Sequence, residues 1–202
     1  MLPQWLPIIR DTLVALSALA GVVAAIAGFC QWRKELTGKA KFEVARRIAV
    51  LSLQFRNEFI RVRATSPLTF SGESAQRQRT GNESPAETQL LDEYFARMKR
   101  LESLQEILLK LRASSWEAKV VLNEDVDKLL QPLEQVSMEL WGAIMTYFST
   151  QLERARRGQG NLELDDWLRS QHAKVYGIDR QPLEKVEAAV ASLLRELRVF
   201  VK

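Results

Sequence analysis

Apolar positions along this chain follow two different rules. Between Thr12 and Trp32 they run on for 21 residues without a charged side chain, whereas beyond Lys41 they recur at steps of three and four. The first pattern suits a bilayer, because a helix rising about 1.5 Å per residue needs about 20 residues to cross a hydrocarbon core of about 30 Å. The second is the period of an amphipathic helix.

Ile48, Leu51, Phe55, Phe59 and Val62 form one stripe and predict a helix over Lys41–Arg63. Gly38 stands ahead of it as a hinge or a break between two helices, since glycine weakens a helix interior. Residues 64–84 are polar, rich in Ser, Thr and Gly, and without period, which predicts a long mobile loop. Ser84, Pro85 and Glu87 then supply a capping serine, a proline at the first helical position and a glutamate at the third. The helix they open carries Leu91, Tyr94, Met98, Leu101, Leu104, Leu108 and Leu111, and Ala118 and Leu122 extend it. Asn123, Glu124 and Asp125 read as the cap of a next helix with Val126, Leu129, Leu133, Val136, Leu140, Ile144 and Tyr147 inward, kinked or divided at Pro132. Gly158 and Gly160 stop it. A short amphipathic piece over Asp165–Lys174 follows, and Pro182 begins a last helix with Val186, Ala189, Val190, Leu193, Leu194 and Leu197 inward. No segment alternates as a strand does. The fold class expected is all-α: an N-terminal transmembrane helix within residues 1–36, then a cytoplasmic helical bundle of about four long helices over 37–202.

Charge fixes the expected orientation. The net charge of +4 conceals an excess of +6 between Arg33 and Arg63, while Ala64–Lys202 is slightly acidic. Basic residues close to an apolar span stay in the cytoplasm, so Arg33, Lys34, Lys39, Lys41, Arg46 and Arg47 predict an inner-membrane protein with its N-terminus outside. A cleaved signal peptide is the competing reading: Ala25 and Ala27 mimic a cleavage site, but Arg10 is cancelled by Asp11 where a basic region is wanted. Cys30 follows Phe29, too bulky for a lipoprotein signal, and reads as an apolar filler near the inner interface. One cysteine forms no internal disulfide.

Candidate chemistry is sparse. His172 and Cys30 are the sole residues of their types, which removes Cys/His zinc sites and the catalytic arrangements that need both. There is no phosphate loop and no dinucleotide fingerprint. Asp165 and Asp166 are adjacent, but neighbours on a helix point about 100° apart. No catalytic residue, metal or cofactor is therefore expected. Two other features stand out. Ser17, Gly21, Ala24 and Gly28 put small side chains on one face of the anchor, where a second helix can approach closely and form a homo-oligomer. The six basic residues after the span suit anionic lipid headgroups or a protein partner.

Trp32, Leu36, Gly38, Lys39, Glu43, Ala45, Arg46 and Arg47 spell W-x-x-x-L-x-G-K-x-x-x-E-x-A-R-R directly after the span. This pattern resembles a group of uncharacterised bacterial and phage-associated membrane proteins with helical cytoplasmic tails. The resemblance implies a bacterial origin and the same topology, and it brings no catalytic residues. On physical grounds alone, Glu43 sits where it can pair with Arg46 and Arg47 along one helix, unless these meet another helix or a headgroup. The function expected is a membrane-anchored interaction or scaffold module without catalysis, binding an unidentified protein partner. A membrane-active component whose anchors assemble into a pore is the alternative. Nucleic acid held at the membrane ranks last, because the basic residues hug the span and no recognition motif accompanies them.

Overall fold

A computed structural model describes the backbone over residues 6–64, 71–157 and 166–201, with side chains from Leu16 onward. Among the described residues there are six helices and no strand. They are α1 (Leu6–Val62), α2 (Ser71–Ser74), α3 (Pro85–Val121), α4 (Asp127–Arg156), α5 (Asp166–Val175) and α6 (Gln181–Val201). The chain divides into two compact units, Met1–Glu43 and Val44–Lys202.

In the first unit α1 continues through Gly38, so the break expected there is absent. A single glycine costs about 1 kcal/mol against alanine, too little to stop a helix with good formers on both sides. Every described apolar side chain from Leu16 to Leu36 is exposed, Leu16 by 65% and Trp32 by 58%. This part of α1 is long and apolar enough to cross a membrane, and the protein covers none of it.

The second unit has its own core. Ile48, Phe55, Phe59 and Val62 of α1 are buried and Leu51 half-buried, as the spacing predicts. They share one cluster with Leu101, Leu104 and Leu111 of α3, Leu133, Val136, Leu140 and Ile144 of α4, Leu168 and Val175 of α5, and Val186, Val190, Leu193 and Leu197 of α6. α4 packs against α3, α5 and α6. The Ser84 hydroxyl accepts from the Glu87 amide at 3.2 Å, and the Glu87 carboxylate accepts from the Ser84 amide at 2.9 Å. This reciprocal box sets where α3 begins.

Two local expectations fail. Asn123 does not cap α4: its φ of 59° places it in the left-handed region just past α3, and α4 begins at Asp127. Asparagine serves both roles, as a side-chain acceptor at a helix start and as a tolerated left-handed residue at a helix end. Of the two outcomes expected at Pro132, division does not occur: α4 runs on through the proline, which lies in the second turn, where few turns precede its ring. The glycines expected to stop α4 and the residue Asp165 lie outside the described residues, although α4 does end just before them, at Arg156.

Candidate functional site

Three arginines tie the second unit together from inside. The last carbonyls of a helix have no partner within it, and an arginine brings five N–H donors plus a charge that suits a helix C-terminus. Arg97 of α3, which is 0% exposed, donates to the carbonyls of Val62 (2.7 Å) and Ala64 (3.1 Å) at the end of α1. It also reaches the Val175 carbonyl at the end of α5, at 3.0 Å. Its charge is balanced by Glu93 one turn earlier, 2.9 Å away. The guanidinium lies 4.4 Å over the ring of Tyr176. One turn on, Arg100 donates to the Arg61 carbonyl (3.0 Å) and to the carboxylate of Glu73 (2.8 Å). Arg63 donates to the Lys174 carbonyl at 2.8 Å and to that of Asp179.

Around this clasp the titratable groups shift in directions that burial dictates. The Tyr176 and Tyr147 hydroxyls are pushed up, first by burial and then by the carboxylate of Glu93. His172 lies tilted against Tyr176, ring centres 4.4 Å apart, and is pushed down by burial and then by the positive charge of Arg97. Glu73 is held down by its bond from Arg100. Arg97 commits all three of its nitrogens to carbonyls and a carboxylate of the fold, and Arg63 and Arg100 each reach helix-end carbonyls, so the cluster is a joint between helix ends. Sequence reading missed it by taking charged positions as outward-facing. The signal was present, since Arg97 precedes Leu101 by four residues and Leu104 by seven.

Within the long loop expected over residues 64–84, residues 71–84 carry the short helix α2 and a set of ion pairs. Arg77 forks onto Glu83 (2.8 Å) and Asp92 (2.6 Å), Arg79 reaches Asp92 at 2.7 Å, and Glu83 accepts from the Thr80 amide at 3.0 Å. These bonds hold Glu83 well below the usual carboxylate range, the Arg77 contact above all. Composition cannot show this order because it depends on Asp92, a residue of α3.

The expected site residues fare differently from one another. Ser17, Gly21, Ala24 and Gly28 lie exposed along α1, and a side chain built at either glycine would meet nothing within 4 Å. Arg33, Lys34 and Lys41 share one face of α1, around Thr37 and Gly38. At about 100° per residue, Lys39 falls on the opposite side. Arg46, in the second unit, is exposed. Arg47 does not pair with Glu43: its Nη1 meets Glu117 Oε2 of α3 at 2.6 Å, so of the alternatives named for it the structure shows a bond to another helix. Among the described residues no three His, Cys, Asp or Glu side chains gather as a metal ion requires. Asp166 faces water and pairs with Arg169 at 3.3 Å. No family model, no curated protein and no solved structure matches this chain.

Proposed function

We propose that the chain is a single-pass protein of a bacterial inner membrane whose C-terminal part is a cytoplasmic bundle of four long helices that acts by binding a protein partner. The observation that carries this reading is the uncovered apolar stretch of α1. Leu16, Leu19, Val22, Val23, Ile26, Phe29 and Trp32 are each more than half exposed, outside a domain that already owns a core. A surface of that size is not left in water by a soluble monomer, and a bilayer covers it without any partner protein. Arg33, Lys34, Lys39 and Lys41 follow at once and favour retention on the cytoplasmic side. The partner-binding part draws support from Trp116, Trp141 and Trp167, exposed aromatics of the type that protein interfaces favour.

Two measurements test the anchor. The full chain should stay in the membrane pellet through alkaline carbonate washing, and release into the supernatant sinks the reading. A reporter active only in the periplasm, fused after Lys202, should be silent while a cytoplasmic reporter there works. The reverse pattern overturns the topology. Self-association in a membrane two-hybrid assay that Gly21→Leu reduces would assign the small-residue face to a second copy of the helix.

A further inference from the structure

We propose that Arg33, Lys34 and Lys41, set around Gly38 on one face of α1, bind the phosphate of an anionic lipid headgroup. This rests on the membrane-anchored reading above and adds a defined place and ligand to it. Residues 33, 34, 37, 38 and 41 lie within an arc of roughly 140° on a helix with 3.6 residues per turn. Gly38 lies at one edge of that arc and, along the helix axis, falls between Lys34, one turn before it, and Lys41, three residues after it. A Cβ placed on Gly38 would meet nothing within 4 Å, so the space there is open, and Lys34, Gly38 and Lys41 line one open surface depression. The same depression is bordered by Arg33 and Thr37.

Three observations make this face suited to an anion. First, among the described residues Arg33, Lys34 and Lys41 have no ion-pair partner, whereas Arg47 is engaged by Glu117 and Arg56 lies 3.4 Å from Glu187. Second, the acids of this stretch are elsewhere: Glu35 and Glu43 fall roughly 130° to 150° from the centre of the arc, and Glu35 accepts from Gln31 at 3.3 Å. Third, the Thr37 hydroxyl donates to the Arg33 carbonyl at 2.9 Å, so it lies along the helix and leaves the depression to the cations. The opposite face holds Trp32 and Leu36, both more than half exposed, so the helix is two-sided at the point where the span ends. A guanidinium fork and two ammonium groups around a gap match the oxygens of one phosphate group.

Diffuse attraction between a basic segment and an anionic surface predicts equal effects for every lysine, while a site predicts unequal ones. Full-length protein in neutral detergent micelles, titrated with phosphatidylglycerol or with phosphatidylcholine and read by native mass spectrometry, separates the two. Phosphatidylglycerol should bind in preference. Lys34→Gln or Lys41→Gln should weaken it about fivefold, the size expected for one cation near a headgroup. Gly38→Leu, which fills the gap with a better helix former, should weaken it by a similar factor, while Lys39→Gln changes nothing. Equal losses for Lys34→Gln and Lys39→Gln overturn the site in favour of diffuse charge. Displacement of the lipid by an equal concentration of inorganic phosphate overturns the headgroup assignment and makes the free anion the ligand. A chain that resists carbonate extraction yet shows no headgroup preference overturns this inference alone, and a chain that carbonate releases overturns the anchor.

Discussion

Leu19 and Leu133 are the same residue under opposite rules. In the first unit Leu19 is exposed along with every apolar neighbour described there, while in the second Leu133 is 0% exposed within a core drawn from five helices. The difference lies in what surrounds the leucines. Around Leu133 polar residues return every few positions and give α4 an outer face, so its apolar stripe must find other helices. Around Leu19 no polar face exists, and no domain of this size could enclose the helix on all sides. Apolar content therefore does not decide what is buried in the protein. The period of the polar residues does.

The comparison is broken most severely at Arg97. Arg97→Met would strand the carbonyls of Val62, Ala64 and Val175 and leave the Glu93 carboxylate beside no cation. Removing one partner of a buried ion pair costs about 3–5 kcal/mol. Urea unfolding of the full chain in detergent, followed by circular dichroism, should show a loss of this size, and a loss below about 1 kcal/mol would mean that the clasp is ornamental. Leu133→Ala follows, with an expected cost of about 2–5 kcal/mol from the lost methyl groups and the cavity they leave. Leu19→Ala should move the same unfolding midpoint by less than about 0.5 kcal/mol, because Leu19 is exposed and takes no part in the buried core.

How far these two units could be read from sequence follows the same division. The apolar run and the stripes of α1, α3, α4 and α6 were legible because they depend on period alone. The start of α3 was legible because Ser84 and Glu87 bond each other within four residues and Pro85 suits the first helical position. Arg97, Arg77 and Arg47 were not. Each depends on a partner the local pattern does not name: helix ends 33 to 78 residues away for Arg97, Asp92 for Arg77, and Glu117 for Arg47. Of the candidate site, the sequence names all six basic residues, but their division into one face, an outlier at Lys39 and a bond between helices at Arg47 requires the helix to be seen unbroken through Gly38.

Glycine sharpens the comparison by reversing sign between the units. Gly177 follows α5 with φ of +69°, and a Cβ there would lie 3.3 Å from the Arg63 carbonyl oxygen. Gly177→Ala should destabilise the domain by about 1–2 kcal/mol, the cost of a left-handed residue with a side chain. Gly38→Ala has a helical backbone and open space, so it should strengthen the helix by about 1 kcal/mol. Amide hydrogen exchange reads both: faster exchange around residues 172–179 for the first, slower around 34–42 for the second. Changes of the same sign would contradict the conformations described.

The smallest expected effect separates the units by pH. The first contains no histidine, whereas the second holds His172 against Tyr147, Tyr176, Glu93 and Arg97. Burial, and then the charge of Arg97, depresses the His172 pKa below its ordinary 6.5, only partly opposed by Glu93. The unfolded chain consequently binds a proton at a higher pH than the folded one does. Stability from this residue is complete above about pH 6.5 and is lost as pH falls through the folded value. The depressed carboxylates of Glu73, Glu83 and Glu87 lose theirs only below 4.5, and the raised Glu58 acts in the opposite direction. His172→Gln isolates the histidine from all of them. The unfolding midpoint of the unsubstituted protein should fall relative to the variant between about pH 7 and 5, and an offset that stays constant over that range would show that His172 titrates as freely in the fold as outside it.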